Sequence, residues 1–321
     1  MTPLLETRSL SKFFPARDGK GLVRAVNNVS LTLAEGETLG IVGESGCGKS
    51  TLARMLLRLI EPSDGKVLFQ GEDLLSLSRA QMRQRRRDIQ IVFQDPYASL
   101  DPRMNIARII AEPLEIHGIG SKADRAAKVA GLLSLVGLDP AAGQRFPHEF
   151  SGGQRQRIGI ARAIALEPKL VVLDEPVSAL DVSIQSQILN LLDDLKDRLK
   201  LSYIFISHDL SVVQHMSDRV AVMYLGRVVE EGAAEAVLGK PAHPYTQALI
   251  SSVPEIDPAK RKAHTLLKGD PPNPEDIPSG CAFHPRCRFA FERCTLEPPA
   301  FHAAGGSRAR CHLIDGEPER A

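Results

Sequence analysis

The sequence predicts an α/β fold with a mainly parallel sheet, flanked by an antiparallel portion near its start. Strand-like and helix-like stretches alternate after residue 36, and the strand-like ones are short apolar runs ended by glycine or acid. Such runs suit strands buried on both faces, as in a parallel sheet covered by helices. Before residue 36 the pattern has no helical period.

In order, "LLETRSLSKFF" and "RAVNNVSLTLAEGE" read as short strands, the second with alternation near its end. "TLGIVG" is a buried strand stopped by glycine, and a helix runs from Lys49 through "STLARMLLRLI" to the turn cluster "EPSDG". "KVLFQGEDL" suggests a hairpin. From about 105 to 138 the apolar residues recur at helical spacing. A helix opening at "SGGQ" follows, then strand "KLVVLDE", helix "SIQSQILNLLDDLKDRL", strand "LSYIFISH" and a short helix to Met216. "RVAVMYLGRVVEEG" returns to strands. From Pro254 to about Ser279 the chain is rich in proline and charge, which predicts a tether before a cysteine-bearing tail.

The 321 residues carry 40 basic and 39 acidic side chains, a formal net charge of +1. That balance gives no global attraction to nucleic acid or to an anionic membrane. No apolar run approaches the roughly 20 residues of a spanning helix, and "MTPLLETRSLSKFF" lacks the apolar region of a signal peptide. The expectation is a cytoplasmic protein that meets a membrane only through a partner. The single strongly basic run, "MRQRRRD", has no interleaved aromatics and reads as a solvated helix face.

"GESGCGKST", Gly43 to Thr51, fits G-x-x-x-x-G-K-[ST] between a predicted strand and a predicted helix. Gly43, Ser45, Gly46, Cys47 and Gly48 let consecutive backbone N–H groups converge on phosphate. Lys49 supplies positive charge toward the β- and γ-phosphates, Ser50 suits Mg²⁺, and Thr51 can bond the α-phosphate. Cys47 needs no redox role. In "KLVVLDEP" four apolar residues deliver Asp174 and Glu175 to the carboxyl end of a strand, the edge where open α/β sheets bind ligands. Asp174 can hold Mg²⁺ through its water shell, and Glu175 can polarise a water that attacks the γ-phosphate.

A second anion grip lies about a hundred residues beyond the first. Ser151, Gly152 and Gly153 open a predicted helix, whose first N–H groups favour an anion. One nucleotide does not need both grips.

The phosphate loop, Gln94 in "IVFQDP", "SGGQ" at 151–154, "VVLDEP" at 171–176, "SALD" at 178–181 and "ISH" ending at His208 occur in that order. Together they resemble the nucleotide-binding subunit of an ATP-binding-cassette (ABC) transporter, over roughly residues 5–250. The resemblance implies an ABC-type P-loop ATPase with an antiparallel β subdomain and a helical subdomain at about 95–165, using ATP and Mg²⁺. It also accounts for the second grip. Two cassettes pack head to tail, so Ser151, Gly152, Gly153 and Gln154, with Asp181, face nucleotide held by the partner. By the same likeness Gln94 senses γ-phosphate and Mg²⁺, His208 grips the γ-phosphate and attacking water, and Phe14 stacks on adenine, with Phe13 its competitor.

The span from Gly43 to Ser151 is too short for the coiled-coil insertion of DNA-repair cassettes, and there is one cassette, not the two of translation-associated relatives. "IQIVFQDPYASLDPRMNIARIIAEPL" and "GKPAHPYTQALISSVPEIDP" resemble the second ATPase subunit of dipeptide and oligopeptide importers. Implied partners are a sister ATPase subunit or a second copy, two transmembrane permeases, and indirectly an external substrate-binding protein. The implied location is the cytoplasmic face of the inner membrane, and no nucleic acid is expected. Relatives that import nickel complexes or glutathione leave the cargo open. A cassette acting on nucleic acid or ribosomes is the reading from another class.

In the tail, Cys281, Cys287, Cys294 and Cys311 follow C-x5-C-x6-C, then sixteen residues, then C. Four thiolates suit zinc or an iron–sulfur cluster, and the spacing fits neither a zinc knuckle nor a two-cluster ferredoxin run. The family likeness suggests [4Fe–4S], and four unliganded thiols remain the plain alternative. The expected domains are thus an ATPase domain at 1–253, a linker at 254–279 and a cysteine-rich region at 280–321.

Overall fold

A computed structural model describes residues 2–16, 21–252 and 269–314. The chain divides into two compact units, one formed by Met1–Leu33, Thr38–Leu75 and Ser207–Ala321, the other by Ala34–Glu37 and Ser76–Ile206.

The first unit starts with strands β1 (Leu5–Pro15), β2 (Leu22–Val29) and β3 (Thr32–Leu33). Strand β4 (Thr38–Val42) leads through the phosphate loop into helix α1 (Lys49–Leu56), and β5 (Asp64–Phe69) and β6 (Glu72–Asp73) follow. Here β1 pairs antiparallel with β2, β3 and β5, and β5 with β6, which is the antiparallel portion expected from the sequence.

The second unit carries α2 (Arg79–Arg85), β7 (Ile89–Val92), α3 (Ile106–Ile116) and α4 (Lys122–Leu135). Then come α5 (Gly152–Ile164), β8 (Leu170–Asp174), α6 (Val182–Leu199) and β9 (Ser202–Ile206). Strands β7, β8 and β9 run parallel, and every residue of β8 and β9 is buried. The helical stretch expected at 105–138 is two helices. Gly118 and Gly120 take positive φ, and Ser121 opens α4 with a reciprocal capping box to Asp124.

The chain returns to the first unit with α7 (Leu210–Met216), β10 (Arg219–Tyr224), β11 (Arg227–Ala233), α8 (Ala234–Gly239) and α9 (Pro244–Ser251). Strand β10 pairs parallel with β4 and antiparallel with β11. Beyond 268 lie α10 (Glu292–Leu296), β12 (Phe301–Ala304) and β13 (Ser307–Arg310). Strand β13 adds to β11, and β12 to β13. Glu230 ties this edge together: fully buried, it accepts from the N–H groups of Ala242 and His243 and from the hydroxyl of Ser307. Most of the expected linker, 254–268, lies outside the described residues.

Candidate nucleotide site and cysteine cavity

In the first unit the loop between β4 and α1 is shaped by backbone that only glycine tolerates. Gly43 has φ 151° and Gly48 φ 105°. A Cβ on Gly43 would sit 2.2 Å from the carbonyl oxygen of Met223, and one on Gly48 2.0 Å from that of Ala25. Gly48 caps α1 without a side-chain bond, and the start of a helix favours an anion. Lys49 is buried, and its Nζ donates to the carbonyls of Gly43 (2.7 Å) and Glu44 (3.0 Å). Ser45 and Gly46 are exposed, and Ser50 and Thr51 are half-buried on the first turn. Burial pushes the Cys47 thiol up, in keeping with a packing role.

The other candidates of this unit are more open. Phe13 and Phe14 are both half-buried, so neither belongs to the core, and the Lys12 ammonium lies 5.1 Å from the centre of the Phe14 ring. His208 is exposed, just before Asp209, whose carboxylate caps α7.

In the second unit β8 ends at Asp174, buried, followed by Glu175 with φ 49°. A non-glycine residue at positive φ marks a held conformation. Contacts on both its backbone and its side chain hold it. The N–H of Glu175 donates to Ile206 (3.0 Å), its carbonyl accepts from Ser178, and its Oε2 accepts from Gln94 Nε2 at 2.8 Å. Gln94 and Glu175, 81 residues apart in sequence, are thus brought together.

Helix α5 opens with Ser151 as its cap. The Ser151 hydroxyl accepts from the Gln154 N–H, and Gln154 Oε1 accepts from the Ser151 N–H. Gly153 is required by packing, because a Cβ there would meet Ile184 Cγ2 of α6 at 2.4 Å. Asp181 caps α6 with no side-chain bond to that helix and is exposed. Sequence reasoning missed what steadies this helix start. Arg155 is buried, stacks over the Tyr97 ring at 3.4 Å, donates to its hydroxyl, and donates to the carbonyl of Pro147 at 3.1 Å. The proximity of Tyr97 to Gln94, in "FQDPY", was the available signal.

Cys281, Cys287, Cys294 and Cys311 line one cavity of about 10 Å³, with Phe283, His284 and His312 also on its wall. All four are free thiols. Burial pushes Cys281 up to about 11 and Cys311 up to about 12, which keeps them protonated. The donor chemistry suits a soft metal. Yet among the described residues no group of three or more His, Cys, Asp or Glu side chains is placed to hold a metal ion. The expected iron–sulfur or zinc centre therefore gains no support from the geometry.

Comparison with known proteins agrees with these features. A family model described as ABC transporter matches residues 26–178, and one described as oligopeptide/dipeptide transporter, C-terminal region, matches residues 229–294. The chain is 51% identical to the oligopeptide transport ATP-binding protein AppF of Bacillus subtilis (strain 168), over 97% of this chain and 97% of that protein. It is 48% identical to the dipeptide transport ATP-binding protein DppF of Escherichia coli (strain K12), over 98% of this chain and 95% of that protein. Among solved structures, the ATP-binding cassette MJ0796, dimeric and bound to ADP and Pi in a post-hydrolysis state, matches with TM-score 0.65 and 28% identity. That match covers 72% of this chain and 98% of the other.

Proposed function

Because the chain belongs to the ABC transporter family, in its oligopeptide/dipeptide branch, we propose that it is the ATP-hydrolysing subunit of an importer of di- and oligopeptides. The observation that carries the hydrolytic role is Glu175, fixed at positive φ after β8 with Gln94 on its carboxylate. A carboxylate so placed can take a proton from water as that water attacks a γ-phosphate.

The phosphate loop, with Lys49 and the open N-terminus of α1, binds the triphosphate of ATP, and Phe14 stacks on its adenine. Mg²⁺ held by Ser50, Gln94 and, through water, Asp174 would neutralise the charge that develops on the phosphates. His208 steadies the γ-phosphate and the attacking water. Ser151, Gly152, Gly153, Gln154 and Asp181 serve nucleotide on an opposing cassette, either a sister subunit or a second copy. The dimeric state of the MJ0796 cassette supports that arrangement. No described helix is long and apolar enough to cross a membrane. On the family reading, the chain works from the cytoplasmic face on two permeases, to which an external binding protein delivers cargo.

Reconstituted with its permeases and binding protein, the chain should show ATPase activity that rises with peptide and vanishes in Lys49→Ala. Activity unchanged by Lys49→Ala would overturn the reading. For the tail, the proposal of a [4Fe–4S] cluster on Cys281, Cys287, Cys294 and Cys311 rests on the soft chemistry of four thiols alone. Anaerobic purification should then give a brown protein with about four irons per chain, and a folded, colourless, iron-free protein would reject it.

A further inference from the structure

One residue of the phosphate loop is an acid. Glu44 puts a negative charge into the loop whose N–H groups are to receive a triphosphate, and like charges oppose each other. The structure removes that conflict. Arg286 grips the carboxylate with both arms, NH1 to Oε2 at 2.8 Å and NH2 to Oε1 at 3.0 Å. Arg286 is buried and Glu44 half-buried, so this two-point pair is partly shielded from water.

The backbone of Glu44 is held as well. Its N–H donates to the hydroxyl of Tyr245 at 2.9 Å, and its carbonyl accepts from Lys49 at 3.0 Å. Two of these three restraints come from residues at least 200 positions later in the chain, all in the same compact unit as the loop. The bracket that presents them is packed aromatic to aromatic. Tyr224 and Tyr245 lie 4.6 Å apart, and Phe283 meets Tyr224 edge-on at 5.3 Å and Tyr245 at 5.4 Å. Arg286 itself ends the short turn His284–Arg286, between Cys281 and Cys287 of the cysteine cavity.

We propose that Arg286 and Tyr245 are positioning residues of the nucleotide site, through which the C-terminal segment sets the affinity of the phosphate loop by holding Glu44. The proposal rests on nucleotide binding at that loop. A contact that merely fastened the tail would change melting temperature and leave a folded chain's nucleotide affinity alone. A positioning contact changes the affinity, and its effect depends on Glu44.

The test is calorimetric titration of the full-length chain with Mg-ADP. Arg286→Met keeps the stem and removes the charge, and should weaken binding about tenfold with Glu44 present. With Glu44→Gln in the same chain, the further loss should shrink to about twofold or less, because no carboxylate is left to neutralise. Tyr245→Phe removes one hydroxyl from a packed core and should weaken binding about threefold; it carries the test alone if Arg286→Met does not fold. Wild-type affinity in folded Arg286→Met or in Tyr245→Phe would overturn the proposal, as would equal losses from Arg286→Met in both Glu44 backgrounds. A wild-type chain that fails to bind Mg-ADP would instead remove the nucleotide reading on which the proposal stands.

Discussion

Glu175 sits at φ 49°, where a side chain crowds its own backbone and costs a non-glycine residue roughly 1–2 kcal/mol. The surrounding bonds to Ile206, Ser178 and Gln94 hold it there. Replacement by glutamine preserves size and removes the base. Glu175→Gln should therefore keep ATP affinity while turnover falls by about a hundredfold or more, as read by single-turnover phosphate release. Hydrolysis within a few-fold of wild type would take Glu175 out of the mechanism. His243 makes a different prediction. It is buried, with its Nδ1 accepting from the Tyr245 N–H and its own N–H on Glu230, and burial lowers its ring to about 4. The unfolded chain binds a proton here from about pH 6.5 downward that the folded chain refuses. Stability is thus complete above that window and is lost as pH falls through it, by up to ~3 kcal/mol at pH 4. Melting temperature should fall more between pH 7 and 5 for wild type than for His243→Asn, and parallel slopes would count against this. The candidate catalytic side chains could be named from sequence because each lies in a short contiguous stretch with a recognisable pattern. The Arg286–Glu44 pair was not, since 242 positions separate its members and neither residue type is unusual alone.

At the scale of elements, β4, β8 and β9 were readable because every one of their residues is buried, which favours short and largely apolar runs. The strands β12 and β13 were not. Their faces carry His302, Arg308 and Arg310 at an edge, so no apolar alternation marks them, although Gly305-Gly306 between them was a usable hairpin signal. The approach of α5 to α6 was also hidden, because a glycine in a helix reads as flexibility until its neighbour is known. Ile184 Cγ2 fills the place of a Cβ on Gly153. Gly153→Ala should destabilise the protein by about 1–3 kcal/mol, with better helix propensity offsetting only part of the overpacking. Ile184→Ala removes that methyl and leaves its Cβ at 3.8 Å, an ordinary contact. In urea unfolding the double variant should then lose clearly less than the sum of the two single changes. Simple additivity would mean that the helices separate freely and that Gly153 is not needed for their packing.

At the scale of the whole molecule, the candidate site residues are divided between the two compact units. The phosphate loop, Lys49 and His208 belong to one, and Gln94, Ser151, Asp174, Glu175 and Asp181 to the other. The unit with the phosphate loop is drawn from three stretches of chain and includes the C-terminal segment, so the tail is part of the fold that shapes the loop. The sequence marked that tail by its cysteines and its change of composition, which favoured reading it apart from the ATPase. The helix start at Ser151 spends its own hydroxyl on the Gln154 N–H, as any good cap does. If its role is confined to that cap, Ser151→Arg costs about 1 kcal/mol of stability and little else. If Ser151 faces nucleotide on an opposing cassette, the same change blocks closure while leaving this chain's own phosphate loop intact. The two readings separate cleanly against Lys49→Ala. Ser151→Arg should bind ATP with wild-type affinity but neither dimerise with ATP in a Glu175→Gln background nor hydrolyse it, as followed by light scattering and phosphate release. Lys49→Ala should lose the binding itself. A Ser151→Arg chain that hydrolyses ATP at the wild-type rate would confine each reaction centre to a single polypeptide and end the head-to-tail arrangement.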